Sequence, residues 1–85
     1  MAAFAERLKE AMELKGLKQA DVIRLAQPFG EPVGIRIGKS HMSQYVSGKT
    51  EPRRDILKVL AQALEVDYLW LEGDDVAMTA DSRKA

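Results

Sequence analysis

Apolar residues recur at helical spacing along most of the chain, and glycine or proline separates the stretches that carry them. In the first stretch Phe4, Leu8 and Met12 lie one turn apart, which predicts a helix with one face packed on a core. Gly16 follows where a helix C-cap is expected, and Asp67 is placed to act as the N-cap of the last helix. The pattern predicts an all-α fold of five helices, over residues 2–15, about 18–26, about 39–47, about 53–65 and 68–71.

Residues 27–38 interrupt the helical pattern between the second and third helices. Five glycines and prolines fall in these twelve residues, so a continuous helix is not expected there. Four apolar residues in the same stretch favour an ordered connection that packs on the core, with one short helical turn around residues 28–33. Ile35 and Ile37 alternate with a polar residue as in a strand, but because no partner strand is predicted we expect an extended loop segment.

The residue composition bears on the class of protein. There is no cysteine and His41 is the only histidine, so thiolate sites and histidine clusters are excluded, and we expect no metal, no cofactor and no enzymatic activity. The first fifteen residues do not resemble a signal peptide, and no apolar run has the length of a membrane span. We expect a soluble cytoplasmic protein with one domain, residues 1–73, and a flexible tail, residues 74–85.

The formal net charge is zero, but the charges are unevenly distributed. Residues 15–58 hold nine basic and four acidic side chains, whereas residues 59–85 hold two basic and six acidic ones. Because phosphate groups respond to charges within about 8–10 Å, the local excess matters more than the sum. A basic middle beside an acidic end is compatible with nucleic acid on one face, and an ordinary surface of mixed charge is the alternative.

The third predicted helix has an apolar side and a polar side. Met42, Tyr45 and Val46 supply the side that anchors the helix to a core, and we expect core packing for Tyr68 and Trp70 as well. A short helix of this kind suits insertion into a DNA major groove. The side chains of its polar side have the size that reaches the edges of base pairs: Ser40, His41, Ser43 and Gln44. For the two serines a helix cap or a solvated hydroxyl is the alternative, and for His41 an ordinary surface histidine.

Three parts of the chain, in order, match motifs of a known family. They are Arg7–Glu10 followed by Lys15–Gln19, then Ser43–Pro52, and then Leu57–Gly73. Together they resemble the lambda-repressor-like (Cro-type, XRE) helix-turn-helix family, which implies a five-helix DNA-binding domain. The long connection between helices two and three departs from the usual short turn. It is similar to that of certain repressors of temperate phages from Gram-positive bacteria.

The resemblance also implies roles for individual residues. Those facing base edges would be Lys39, Ser40 and Gln44, with His41 and Ser43 beside them. Those contacting the sugar-phosphate backbone would be Gln19, Lys49, Thr50 and Arg53, with Lys18 and Arg54 as helpers. For the two helpers an ordinary solvated charge is the alternative.

The function implied is that of a sequence-specific transcriptional regulator, and the connection favours a phage or prophage repressor. Its partner would be double-stranded operator DNA, bound by a weak homodimer, and residues 68–71 offer an apolar surface for pairing. Two alternatives on the same fold stay open, the antitoxin of a toxin–antitoxin pair and a protein-interaction module that has lost DNA binding. The sequence indicates neither a membrane nor a small-molecule substrate.

Overall fold

Helices form all the regular structure of the part of the chain that the computed structural model describes, residues 3–76 and 78. The predicted all-α fold class is therefore confirmed. None of these helices combines the length and the hydropathy needed to cross a membrane. In chain order the elements are α1 (Ala3–Lys15), α2 (Gln19–Gly30), a 3-10 helix (Glu31–Val33), α3 (Lys39–Ser47), α4 (Arg54–Leu64) and α5 (Tyr68–Glu72).

One apolar core joins the five α-helices. Fully burying a side chain such as leucine stabilises the fold by about 1.5–3 kcal/mol. Tyr45, Trp70 and Met12 also lie in the core, as predicted, whereas Tyr68 is half-buried and lies beside the ammonium group of Lys58. The largest side chains without exposed surface come from all five helices: Leu8, Val22, Met42, Leu60, Leu64 and Leu71.

The second helix is longer than the sequence predicted, because α2 continues through Pro28 to Gly30. Proline removes one helical hydrogen bond and crowds the preceding turn, but here the loss falls in the last turn and the Pro28 ring is exposed. Glu31 keeps right-handed helical angles, and its N–H donates to the carbonyl of Gln27. The chain therefore passes directly into the 3-10 helix. The predicted end of the helix near residue 26 is wrong, and the connection to α3 spans residues 31–38.

This connection folds back onto α2 at Gly30. The Ile35 N–H donates to the Gly30 carbonyl at 2.9 Å, and a Cβ atom built on Gly30 would lie 2.5 Å from the carbonyl oxygen of Ile35. A side chain at Gly30 is thus incompatible with this approach. Ile37 is buried and Ile35 is half-buried against the core, as predicted, whereas Phe29 and Val33, the other two apolar residues of the stretch, are exposed.

The residues after α5 include the first part of the predicted tail. Val76 and Met78 pack half-buried against the core, and the Asp67 N–H donates to the Met78 carbonyl at 2.7 Å. The Asp67 side chain accepts a backbone N–H of the first turn of α5, which confirms the predicted N-cap. The rest of the predicted tail, residues 77 and 79–85, lies outside the described residues.

Candidate nucleic-acid interface

Helix α3 turns its apolar side to the core and its polar side to solvent. Met42 and Tyr45 are buried. Successive residues are about 100° apart around the helix axis, so Ser40, Gln44 and Ser47 lie opposite these buried side chains and form the outer line of α3. The exposed side chains of the helix are Lys39, Ser40, His41, Ser43, Gln44 and Ser47.

Four of the five predicted base-contacting side chains have no hydrogen-bond or ion-pair partner in the described part of the chain. Within the described part of the chain, the side chains of Ser40 and Gln44 make no hydrogen bond and no ion pair. The same holds for Ser43 and for the ammonium group of Lys39. A polar group that has no partner in the protein is available to a ligand at no cost in broken contacts. The polar side of α3 is therefore not engaged by any other described part of the chain.

Gly38 and His41 fix the start of α3. Gly38 is the N-cap and has no side chain that could accept a hydrogen bond. The Nδ1 atom of His41 accepts the Gly38 N–H at 3.4 Å, and the imidazole stacks on the ring of Tyr45 with 6.5 Å between centroids. Because Nδ1 accepts, the proton of the neutral imidazole resides on Nε2. His41 thus supports the helix start and presents an N–H donor.

Gly48 ends α3 and sets the direction of the chain that follows. Its φ of 81° is left-handed, and the Lys49 N–H donates to the Gln44 carbonyl at 3.0 Å. This is the Schellman pattern, in which glycine is preferred because it has no Cβ. Lys49 and Thr50 are exposed immediately after the turn.

Arg53 follows α3 in the chain and is the N-cap of α4. Burial raises the pKa of Tyr45, and the positive charge of Arg53 partly opposes this rise. The Arg53 side chain is 83% exposed, and its Nε atom is 4.0 Å from a carboxylate oxygen of Asp55. Exposed pairs of this kind contribute little, about 0–1 kcal/mol. Asp55 therefore does not prevent Arg53 from contacting another anion.

Arg54, one of the two predicted helpers, already has an acidic neighbour. Its Nη2 atom is 3.9 Å from a carboxylate oxygen of Glu72, at the end of α5. Glu51 lines the same shallow depression. A phosphate would have to compete with these carboxylates for Arg54, whereas Lys39 and Lys49 have no acidic partner in the described part of the chain.

The start of α2 exposes Lys18 and Gln19, as the predicted phosphate contacts require. Asp21 caps this helix start, because its Oδ2 atom accepts the Lys18 N–H at 2.9 Å and its Oδ1 atom accepts from Arg24 at 2.6 Å. The backbone hydrogen bond from Lys18 lowers the pKa of Asp21, and the charge of Arg24 adds to the effect. One of the backbone donors at this helix start is thus already occupied by a carboxylate.

The sequence analysis did not include Ser47 among the candidate contacts. Its hydroxyl donates to the Gln44 carbonyl at 3.1 Å, which leaves the oxygen lone pairs of Ser47 facing outward as acceptors. The signal that could have identified it is the helical spacing of residues 40, 44 and 47, which lie on one face.

These elements define a small helical domain in which α2 packs against α3 and the polar side of α3 is open to a macromolecule. A family model described as a helix-turn-helix domain matches residues 3–68. The chain belongs to this family of DNA-binding domains, which are not typically enzymes. No curated protein matches the chain.

Proposed function

We propose that the protein is a sequence-specific regulator of transcription that inserts α3 into the major groove of double-stranded DNA. The observation that carries this proposal is the outer line of α3, where Ser40 and Gln44 are exposed and have no partner among residues 3–76 and 78. A glutamine in the groove pairs with adenine N6 and N7, and such a contact discriminates between bases by about 1–3 kcal/mol. We infer further base contacts from Lys39, His41 and Ser43.

The contacts with the sugar-phosphate backbone of the DNA would come from the start of α2 and from the segment after α3. Gln19 is the first residue of α2, and Lys49, Thr50 and Arg53 follow α3; all four are exposed. Such contacts fix the register of the protein on the duplex without reading its sequence. Lys18 is free to assist, whereas Arg54 would have to leave or share Glu72.

Within this class we propose a repressor of the temperate-phage or prophage type. The support is the resemblance of the sequence, including the long connection between α2 and α3. Two copies would bind half-sites about 34 Å apart or a multiple of that distance. Trp70 and Leu71 are buried within the chain, so the apolar surface that α5 offers to a second copy consists of the half-buried Tyr68 and Leu69.

The proposal is tested by selecting DNA from a random duplex library and titrating selected and unrelated duplexes at several salt concentrations. Gln44→Ala should reduce the preference for selected DNA by about tenfold, because a bidentate base contact is lost. Arg53→Ala should weaken binding to both duplexes by the same factor. It should also reduce the dependence of the binding constant on salt concentration by about one phosphate contact. The matched controls are Gln62→Ala and Lys9→Ala, two exposed positions on α4 and α1. Equal losses on every duplex from both test variants would contradict the proposal.

The two alternatives on the same fold give different results in this experiment. A protein-interaction module would select no duplex, so neither Gln44→Ala nor Arg53→Ala would change DNA binding. An antitoxin would behave as a regulator on DNA and would in addition form a complex with a small toxin, which co-purification detects.

A further inference from the structure

A cavity of about 330 Å³ lies between α2, the connection to α3, and α4. We call it the connection cavity. Its volume falls at the small end of the range of about 300–1,000 Å³ that is typical of small-molecule sites. Its apolar wall is formed by Ile23, Ala26, Ile35, Ile37 and Val59.

The mouth of the connection cavity is polar. Gln27, Glu31 and Arg36 line it, and all three are exposed. Within the described part of the chain none of their side chains makes a hydrogen bond or an ion pair. The lining of the connection cavity is therefore mixed, with aliphatic side chains beside one amide and two charged groups of opposite sign.

The two charges at the mouth have opposite sign, and this restricts the chemistry of a ligand. An anion alone would leave Glu31 beside it, and a cation alone would leave Arg36 beside it. A molecule that carries one positive and one negative group can pair with both Glu31 and Arg36. Its charged groups then stay at these exposed side chains, and only its hydrocarbon part enters the cavity, so no charge is buried.

We propose that the connection cavity binds a small zwitterion with an apolar side chain, of the class of the free aliphatic amino acids. The ammonium group faces Glu31, the carboxylate faces Arg36, and the side chain packs on Ile23, Ile35 and Val59. Binding there is independent of the DNA contacts, although Gly38, the residue before α3, lies in the same wall.

The first test is a titration of the ¹⁵N-labelled full chain with L-leucine, followed by amide chemical shifts. Saturable shifts at millimolar concentration, confined to residues 23–38 and the surroundings of Val59, are expected. Three related probes separate the contributions: 4-methylpentanoate lacks the ammonium group, 3-methylbutylamine lacks the carboxylate, and glycine lacks the side chain. Each should bind at least about tenfold more weakly, since each loses a charge-assisted contact or the apolar burial. Absence of saturable shifts with leucine, or equal binding of any of the three probes, overturns the proposal.

The second test uses variants of the two exposed charges that line the connection cavity. Glu31→Gln and Arg36→Met should each weaken leucine binding by about tenfold. The matched controls are Glu10→Gln and Lys9→Met on α1, where both side chains are exposed and unpaired. Circular dichroism verifies that the four variants are folded. Binding that is unchanged in both test variants, or weakened equally in the controls, overturns the assignment of the site.

Discussion

Asp21 stabilises the first turn of α2 only while its carboxylate is ionised. The Lys18 N–H and the charge of Arg24 hold its pKa below the ordinary value in the folded chain, so the unfolded chain binds the proton more readily. This contribution to the free energy of unfolding is therefore complete above about pH 4 and is lost as the pH falls through the lower, folded-state pKa. We expect Asp21→Asn to lower stability at neutral pH and to flatten the decline below about pH 4.

Urea unfolding at a series of pH values measures this effect. Glu10→Gln removes an exposed carboxylate of α1 that has no partner in the described part of the chain, and it should leave the shape of the pH profile unchanged. If the free energy of unfolding falls with equal slope below about pH 4 in the wild-type chain and in Asp21→Asn, the ionised cap contributes nothing to folding stability.

Other features at the scale of single residues differ in how well the sequence predicts them. The exposure of Ser40 and Gln44 follows from helical spacing alone, because Met42 and Tyr45 fix which side of α3 meets the core. The role of His41 does not follow, since the usual side chains that accept the N-cap N–H from the third helical position are those of Glu and Gln.

At the scale of elements, sequence reasoning placed α1, α3, α4 and α5 to within about two residues, the ordinary uncertainty of a helix boundary. It failed for α2 because glycine and proline were taken to end the helix. Two features outside that helix outweigh the tendency of glycine and proline to end it. Glu31 keeps helical backbone angles, and the Ile35 N–H donates to the Gly30 carbonyl. Such tertiary contacts cannot be seen in the propensities of a local stretch.

The close approach of the connection to α2 gives a prediction for Gly30. Alanine in a helix is intrinsically more favourable than glycine by about 1 kcal/mol, yet Gly30→Ala would place its Cβ 2.5 Å from the Ile35 carbonyl oxygen. We expect a net destabilisation of about 1–3 kcal/mol, because the backbone of the connection must move. Thermal or urea unfolding measures it.

Gly38→Ala is the matched control for this prediction. Its φ of −96° is accessible to any residue, and the nearest atom to a Cβ there is His41 Nδ1 at an ordinary 3.8 Å. Because alanine is a poorer N-cap than glycine, this variant should lose at most about 1 kcal/mol of stability, less than Gly30→Ala. A neutral or stabilising Gly30→Ala would mean that the connection does not rest on α2 in solution.

At the scale of the whole molecule, a net charge of zero coexists with an unpaired cationic surface. No acidic side chain of the described residues lies within ion-pair distance of Lys39 or Lys49, and Arg53 has one distant partner. The acidic end of the chain instead reaches Arg54 through Glu72. Because salt screens charges beyond about 8–10 Å, the field near α3 depends on these neighbours and not on the total charge.

The association state of the free chain also follows from its surface. Among the described residues, the exposed large apolar side chains are Leu14, Leu25, Phe29 and Val33, and α5 adds only half-buried ones. A stable dimer buries about 1,200–2,000 Å² with a well-packed apolar centre. We therefore expect the chain to sediment as a monomer at micromolar concentration, and as two copies on an operator with two half-sites.

If α5 provides the contact between these two copies, the contact is weak and detectable only on DNA. Leu69→Gln should then abolish the cooperativity between half-sites and leave the affinity for a single half-site unchanged, because α3 is not altered. Leu14→Gln, at an apolar position of α1 whose exposure is 66%, is the control and should preserve cooperativity. Cooperativity that survives Leu69→Gln would show that the two copies do not meet through α5. A dimer that persists without DNA would contradict the expectation of a weak contact.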